Sequence, residues 1–425
     1  MPLSATEDSL FSYDVLVLGA GIVGVSTALH LQARGRRVCL IDKDEPGNGT
    51  SYGNAGLIER SSVVPYAFPH GFSQLLRYGL NRESDVHYQW AALPGLATWL
   101  WRYWRESAPV PLAQAGADML PLIERCVDEH DALIQAAGLQ SLIKAQGWIE
   151  MYRNQAAFEL ARQGMKDLER YQLAYDILDA DGLHEREPGL GDAAVGGIHW
   201  LDPKTVSDPG GLVQGYARLF TQRGGQFVRA DAGSLHKREE GWTLVGFGGE
   251  KLQATEAVVA LGPDAAELFS PLGYRFPLAH KRGYHLHFQA RAGTPVLKHP
   301  VCDPQGGYVL APMQQGIRLT TGVELARPSC PPMKVQIDRA RAIAQRIYPL
   351  GEAMETQPWM GRRPCMPDMR PVIGPASRHS GLWFNFGHAH HGLTLGPATG
   401  RLLAEMMTQS KTFTDPAPYS ADRFN

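Results

Sequence analysis

The residues whose types and spacing point first to chemistry are Gly19, Gly21 and Gly24, in the run Gly-Ala-Gly-Ile-Val-Gly, together with Asp42. Gly19 allows a tight turn off a strand. Gly21 lets a pyrophosphate come close to the backbone, just where Ile22 and Val23 begin a helix. Gly24 lets that helix lie against the sheet. An acid about 20 residues further on grips ribose hydroxyls, and Asp42 stands there. The implied chemistry is dinucleotide binding, with the diphosphate on a helix N-terminus that favours anions. A second helix start lies far away in sequence. Gly387-His-Ala-His-His-Gly392 leads through Leu393 and Thr394 into a helix from about Leu395 to Met407. Two anion sites suit a cofactor with a diphosphate at one end and a second electron-rich centre at the other. Reduced flavin, which gathers charge at its N1–C2=O edge, fits. His388, His390 and His391 cluster in the second loop, but their spacing matches no established metal pattern. Shaping a pocket or tuning a cofactor is the preferred reading, with a metal site as the alternative. No Ser–His–Asp or Cys–His arrangement stands out.

Several elements must position these groups. Val15–Leu18 reads as a buried strand, and Val25, Ala28, Leu29 and Ala33 as one face of a helix that Gly35 stops. Arg37–Ile41 is a second strand. The Gly-, Asn- and Ser-rich stretch 43–59 then lies over the cofactor; on composition alone an ordinary surface loop is equally good. Leu96, Trp99, Leu100, Tyr103 and Trp104 share one helical face. Burial against a second domain is preferred for it, and docking on a membrane surface or redox partner is the alternative. Helices are expected over 118–137 and 155–172, with a strand over 147–152. Asp208 is expected to cap a helix starting at Pro209 and ending at Gly224. Short strands follow at 226–230, 233–238, 242–247 and 251–254. Val258–Leu261 is a further buried strand, running into a glycine turn at Gly262. Residues 276–322 alternate as β-structure, Tyr284, Leu286 and Phe288 against His285 and His287. A helix is expected over about 336–348.

Size and composition set bounds. The chain of 425 residues, 44% hydrophobic and 20% charged, suits two or three globular domains. A formal charge of −2 carries neither a nucleic-acid footprint nor a polybasic membrane patch. Five scattered cysteines, without CxxC pairs or zinc spacing, read as reduced and structural in a cytoplasmic setting. The N-terminus is not that of a signal peptide, and no stretch is apolar for the roughly 20 residues of a spanning helix. Peripheral contact with the inner face of the cell membrane stays open.

With these pieces placed, the chain resembles the D-amino-acid oxidase superfamily of FAD-dependent oxidoreductases. The likeness is nearest to bacterial D-amino acid dehydrogenases and D-hydroxyproline dehydrogenases. It rests on GAGIVG at 19–24, Asp42, TSYGNAG at 50–56, DPGGLV at 208–213, VVALGP at 258–263, RGYH at 282–285, GRRP at 361–364, PDMRPVIGP at 367–375 and GHAHHGLTLGPATGRLLA at 387–404. It implies an α/β fold. A discontinuous FAD-binding Rossmann domain of the glutathione-reductase type takes 1–60, 199–272 and 355–425. An α+β substrate domain with a mixed sheet takes 61–198 and 273–354. The implied cofactor is FAD, noncovalent because no cysteine stands where the sarcosine-oxidase branch attaches it; Cys365 is too close to Pro367-Asp368.

The implied reaction oxidises the Cα–N bond of a small amino acid, D-proline and hydroxyproline among the candidates. Hydride passes from Cα to flavin N5, an imino acid is released, and electrons leave to a quinone or other carrier. Arg363 matches the family's carboxylate-binding arginine, with Arg362 as its backup. Tyr284 and His391 join Arg363 as catalytic candidates, and Arg282, His285 and Asn54 as substrate contacts. Implied cofactor contacts are Gly19, Gly21, Ile22, Val23, Gly24, Asp42, Lys43, Thr50, Ser51, Asn54, Ala55, Gly56, Leu57, Val228, Gly262, Gly361, Arg363, Gly387, His388, His391, Gly392, Leu393 and Thr394. Three rivals stand beside this reading: a glycine- or sarcosine-type oxidase using O2, a noncatalytic FAD-binding subunit, and an NAD-dependent dehydrogenase. An oxygen-activating lysine would fall near Thr320, which leans towards a dehydrogenase.

Overall fold

The computed structural model describes residues 10–424. The apolar run Val15–Leu18, fully buried, ends the strand Leu10–Leu18 at the heart of an eight-stranded sheet. Gln226–Arg229, Val38–Asp42, Leu10–Leu18, Lys251–Val259 and Leu382–Phe386 lie side by side and parallel. Parallel strands are covered on both faces, which is why they read as unbroken apolar runs. The separate strands expected at 251–254 and from Val258 are one strand. Its first half pairs antiparallel with Gly241–Val245 and its second half parallel with Leu382–Phe386, so both halves stay extended.

The two helices that follow the glycine loops, Ile22–Gln32 and Gly392–Met407, pack on each other. A Cβ at Gly396 would lie 3.0 Å from Ile22 Cγ1, and one at Gly400 would lie 2.8 Å from the Thr27 amide. Residue numbers rise together along this seam, so the helices are parallel and both N-termini point the same way. Four residues separate Gly392 from Gly396, so the later helix projects about 6 Å past the earlier one. It starts three residues before Leu395. Pro397 is therefore an interior residue and leaves the Leu393 carbonyl without its helical donor. His130 Nε2 bonds that carbonyl at 2.7 Å.

The second sheet has eleven strands. Its long central strand, Ala279–Ala290, pairs with Gly316–Thr321 on one side and with Val323–Leu325, Leu350–Ala353 and Trp359–Cys365 along its length. From Gly316–Thr321 the sheet continues through Tyr308–Met313, Val301–Asp303 and Trp148–Tyr152 to Gly196–Trp200 and Tyr175–Asp179. Trp359–Cys365 thus joins this sheet although it opens the expected flavin segment 355–425. Both faces of Ala279–Ala290 are covered: His285 and His287 are as buried as Tyr284 and Phe288.

Asp208 caps Pro209–Gln222 as expected, accepting from the Gly211 amide at 2.9 Å. The helix expected over 336–348 spans Val335–Ala344. In Leu93–Glu106, Trp99 and Tyr103 are buried. Trp104, expected on the same inner stripe, is exposed and stacks on His70.

Candidate functional site

One cavity of about 1190 Å³ is lined by both glycine turns. At the first, Gly19 has φ 107°, and a Cβ there would meet Ala260 O at 2.4 Å. Asp42 Oδ2 accepts the Ala20 amide at 2.7 Å and Oδ1 the Asp44 amide at 3.1 Å. Burial raises its pKa, and among the described residues no cation pairs with it. It is thereby poised to accept hydroxyl donors. Ser51 Oγ accepts the Ile22 amide at 3.1 Å, Thr50 Oγ1 donates to Arg362 O at 3.0 Å, and Asn54 Oδ1 accepts the Gly56 amide at 2.8 Å. The loop 43–59 therefore folds over the cavity.

At the second turn no side chain caps Gly392–Met407, so its first amides are open to an anion. His391 Nε2 lies 2.8 Å from Ser62 Oγ and 3.5 Å from Glu59 Oε2. His388 bonds Thr399 Oγ1 at 3.0 Å, and burial pushes its pKa down to about 3. His390 Nε2 is buried without a partner, and its ring meets Tyr66 edge-on. Glu59, His390 and His391 each bring one possible metal-binding atom within 4.8 Å of the others.

Arg363 stands opposite Lys281 in register, and its side chain crosses Gly283. Its guanidinium donates to Gly322 O at 2.6 Å and Thr321 O at 3.1 Å. No carboxylate of the described residues lies within ion-pair distance of it. Burial lowers its pKa, yet a guanidinium stays charged. A buried, uncompensated cation with spare N–H donors in a cavity wall is a receptor for a carboxylate.

The structure does not bring every expected residue here. Arg282 and Tyr284 point to the opposite face of their strand from Arg363, because successive residues alternate. Arg282 donates to Arg327 O and Cys330 O, both at 2.7 Å, beside Glu324. The Tyr284 hydroxyl donates to Glu324 and accepts the Met333 amide at 3.2 Å. Tyr284 still borders the cavity, but that hydroxyl is spent elsewhere. His285 shares the Arg363 face but is sealed off by Trp359, stacked on it at 4.8 Å, and by Tyr52. Val228 is buried inside its sheet, and Asp231–Gly233 just beyond it reach the cavity instead. Gly24, Gly56 and Gly387 shape the turns without lining the space. The other expected cofactor contacts all line it. Sequence reasoning missed Glu59, Tyr66, Trp148, Glu150, Lys281 and Trp359, which line it too. Strand pairing brings Trp148, Glu150, Lys281 and Trp359 there, while Glu59 ends the covering loop and Tyr66 comes from the segment that follows it.

The buried histidines carry a prediction. Burial pushes His388 and His30 down to about 3, His130 to about 4 and His285 to about 2. Unfolded, each titrates near 6.5. Below that pH the unfolded chain binds protons that the fold refuses, so stability falls as pH drops from about 6.5 towards 4. Each contributes up to about 1.4 kcal/mol per pH unit. Asp42 and Glu150, raised by burial, act in the opposite sense, two groups against four. The Tm should fall steadily between pH 7 and 5. A flat Tm over that range would show that these histidines become charged within the fold.

Comparison with known proteins gives the family and the fold. The family model described as DAO, FAD dependent oxidoreductase, matches residues 14–406. The chain is 29% identical over 423 residues to a D-amino-acid oxidase of Bradyrhizobium diazoefficiens, covering 96% of this chain and 98% of the relative. It is 27% identical to a D-amino acid dehydrogenase of Chromohalobacter salexigens, covering 96% and 99%. Among solved structures, glycine oxidase of Geobacillus kaustophilus superposes with a TM-score of 0.74 at 20% identity, over 96% of this chain and 98% of that one. L-amino acid deaminase of Proteus vulgaris gives 0.73 at 16%, over 98% and 99%.

Proposed function

This chain belongs to the DAO family of FAD dependent oxidoreductases, and we propose that within it the protein oxidises the Cα–N bond of a free D-amino acid. The observation that carries this reading is Arg363: a buried guanidinium without a counter-ion, in the cavity that both glycine turns share. The residues fit FAD at both ends. The amides of Gly21 and Val23, where the helix Ile22–Gln32 begins, would hold the diphosphate and Asp42 the ribose, while the uncapped turn at Gly392 would hold the electron-rich edge of the ring. FAD supplies the hydride acceptor. Arg363 holds the substrate carboxylate with two parallel bonds and so fixes which hydrogen on Cα is presented. His391, held by Ser62 and Glu59, lines the ring end of the cavity. The D configuration follows the curated relatives, since the same fold also serves an L-amino acid deaminase. We take the flavin to be noncovalent and the flavin domain to comprise 1–60, 199–272 and 355–425, apart from Trp359–Cys365, which pairs in the second sheet.

We assign the electrons to a quinone or other carrier, because Thr320 stands where an oxygen-activating lysine is expected. Exposed Trp90, Trp101, Trp104, Leu76 and Leu80, interspersed with Arg77, Arg102 and Arg105, support a peripheral contact at the inner membrane face. No helix of the described residues is long and apolar enough to cross a membrane. A second reading, transfer to O2, has its own observation: Lys281 lines the cavity. Anaerobic titration of the FAD-loaded protein with D- and L-amino acids tests the reaction. D-Amino acids should bleach the flavin and their L-enantiomers should not. A flavin that no amino acid reduces, as in a noncatalytic subunit, would overturn the proposal. Peroxide formed stoichiometrically in air would transfer the electrons to O2.

A further inference from the structure

We infer that the amino acid oxidised here carries a second, cationic group at the far end of its side chain, received by Glu150 with Glu59 beside it. The inference rests on the amino-acid reading above. Strand register supplies the geometry. Thr320 stands opposite Val309, Val309 opposite Cys302, and Cys302 opposite Glu150. Directly paired residues share a face of a sheet. This row shares the face of Lys281, Gly283 and the Arg363 side chain, because His285 stands opposite Thr320 and lies at every second position of its strand with Gly283 and Lys281. All of these residues except His285 line the one cavity. Its wall therefore carries two cations at one end, neutral side chains in the middle, and a carboxylate at the other.

Distance separates two uses of that carboxylate. Four strand spacings lie between Gly283 and Glu150, roughly 19 Å of backbone. A substrate whose carboxylate sits on Arg363 has its own ammonium two bonds away and cannot present it to Glu150. A basic side chain, long and extended, can. Glu150 is fixed for such a role: its two oxygens accept the Tyr152 hydroxyl at 2.8 Å and Trp200 Nε1 at 3.4 Å. No arginine or lysine of the described residues pairs with it. A buried carboxylate without a cation is costly, and a ligand's cation removes the cost. The segment that carries Glu59 is tied to the strand of Glu150, Trp148 Nε1 donating to Ser61 Oγ at 3.3 Å, and both carboxylates line the cavity. The Tyr66 ring lines the same cavity, and Trp148, on the same strand face as Glu150, is a further aromatic wall for a cation. His390, whose Nε2 is buried without a partner, brings a ring nitrogen within 4.8 Å of the Glu59 carboxylate. At the opposite end the Lys281 ammonium rests over Tyr103 at 4.0 Å and repels a cationic side chain, so the charge pattern also sets direction.

The test compares D-arginine with D-citrulline, its neutral near-isostere, on the FAD-loaded protein with a dye acceptor, and D-alanine as reference. D-Arginine should exceed D-citrulline in kcat/KM by at least about 10-fold, and Glu150→Gln should bring the ratio to within about threefold. Should the variant fail to retain FAD, the wild-type ratio decides. Equal rates for D-arginine and D-citrulline, with D-alanine still oxidised, overturn this inference and leave the amino-acid reading standing. A preference for D-glutamate over D-glutamine also overturns it, by sending the side chain to Lys281. A protein that oxidises no amino acid removes both.

Discussion

Arg363→Ala lowers kcat/KM for the amino acid by about 10²- to 10³-fold, roughly 3–4 kcal/mol, within the range for losing one partner of a desolvated charge pair. Most of the loss falls on KM, because the carboxylate is held in the ground state and the transition state alike. Arg363→Lys recovers only part, since an ammonium is a point charge without the paired donors of a guanidinium. FAD content stays unchanged: the guanidinium bonds Thr321 and Gly322 carbonyls, not the glycine turns. Gly283→Ala gives a second route to the same defect. Its Cβ would lie 2.5 Å from Arg363 Nη2, the mobile tip of a long side chain. The guanidinium yields and the backbone does not, so KM rises while the Tm holds. If both variants keep kcat/KM within threefold of the parent, the carboxylate is bound elsewhere and the reading of this cavity fails.

What was legible in the sequence divides along physical lines. The turn at Gly19–Gly24 and the acid at Asp42 are local: strand, turn, helix and strand follow within thirty residues, and each glycine has a steric reason. Arg363 came through resemblance, and the structure adds why it is free to act: Gly283 makes room for it. Arg282, Tyr284 and His285 show where reasoning along one strand stops. Alternation separates Arg282 and Tyr284 from His285. It does not say which face meets the cavity when both faces are buried. Even the correct face was not sufficient for His285, which Trp359 covers from the neighbouring strand. Glu150 had no local signal, because its strand reaches this wall only by pairing with Val301–Asp303, far away in the chain. The helix expected from about Leu395 starts at Gly392 and so takes Pro397 into its interior, which no local rule favours; His130, from another helix, satisfies the carbonyl that the proline frees.

Gly24→Ala should yield a protein that cannot hold FAD, with affinity weakened by at least about 100-fold or the fold lost outright. The added Cβ would lie 1.7 Å from the carbonyl oxygen of Gly19. That obstacle is backbone in a turn that Ala260 already confines, so no rotamer change relieves it. The helix Ile22–Gln32 has to back away from the sheet, at a cost beyond the roughly 1–3 kcal/mol of ordinary overpacking. It cannot move alone. Gly396 and Gly400 hold the helix Gly392–Met407 against it, so a displacement at the diphosphate end carries over to the ring end. The Ile22 amide also leaves Ser51, which ties the covering loop to the same turn. Gly164→Ala is the matched control: it lies in the helix Gln155–Leu168 with open space at its Cβ, and alanine there is expected to raise stability by about 0.5–1 kcal/mol. The ratio of flavin to protein absorbance after desalting reads both variants. A Gly24→Ala protein with full flavin content and the parent Tm would mean that helix and turn are not in the contact on which the whole site is built.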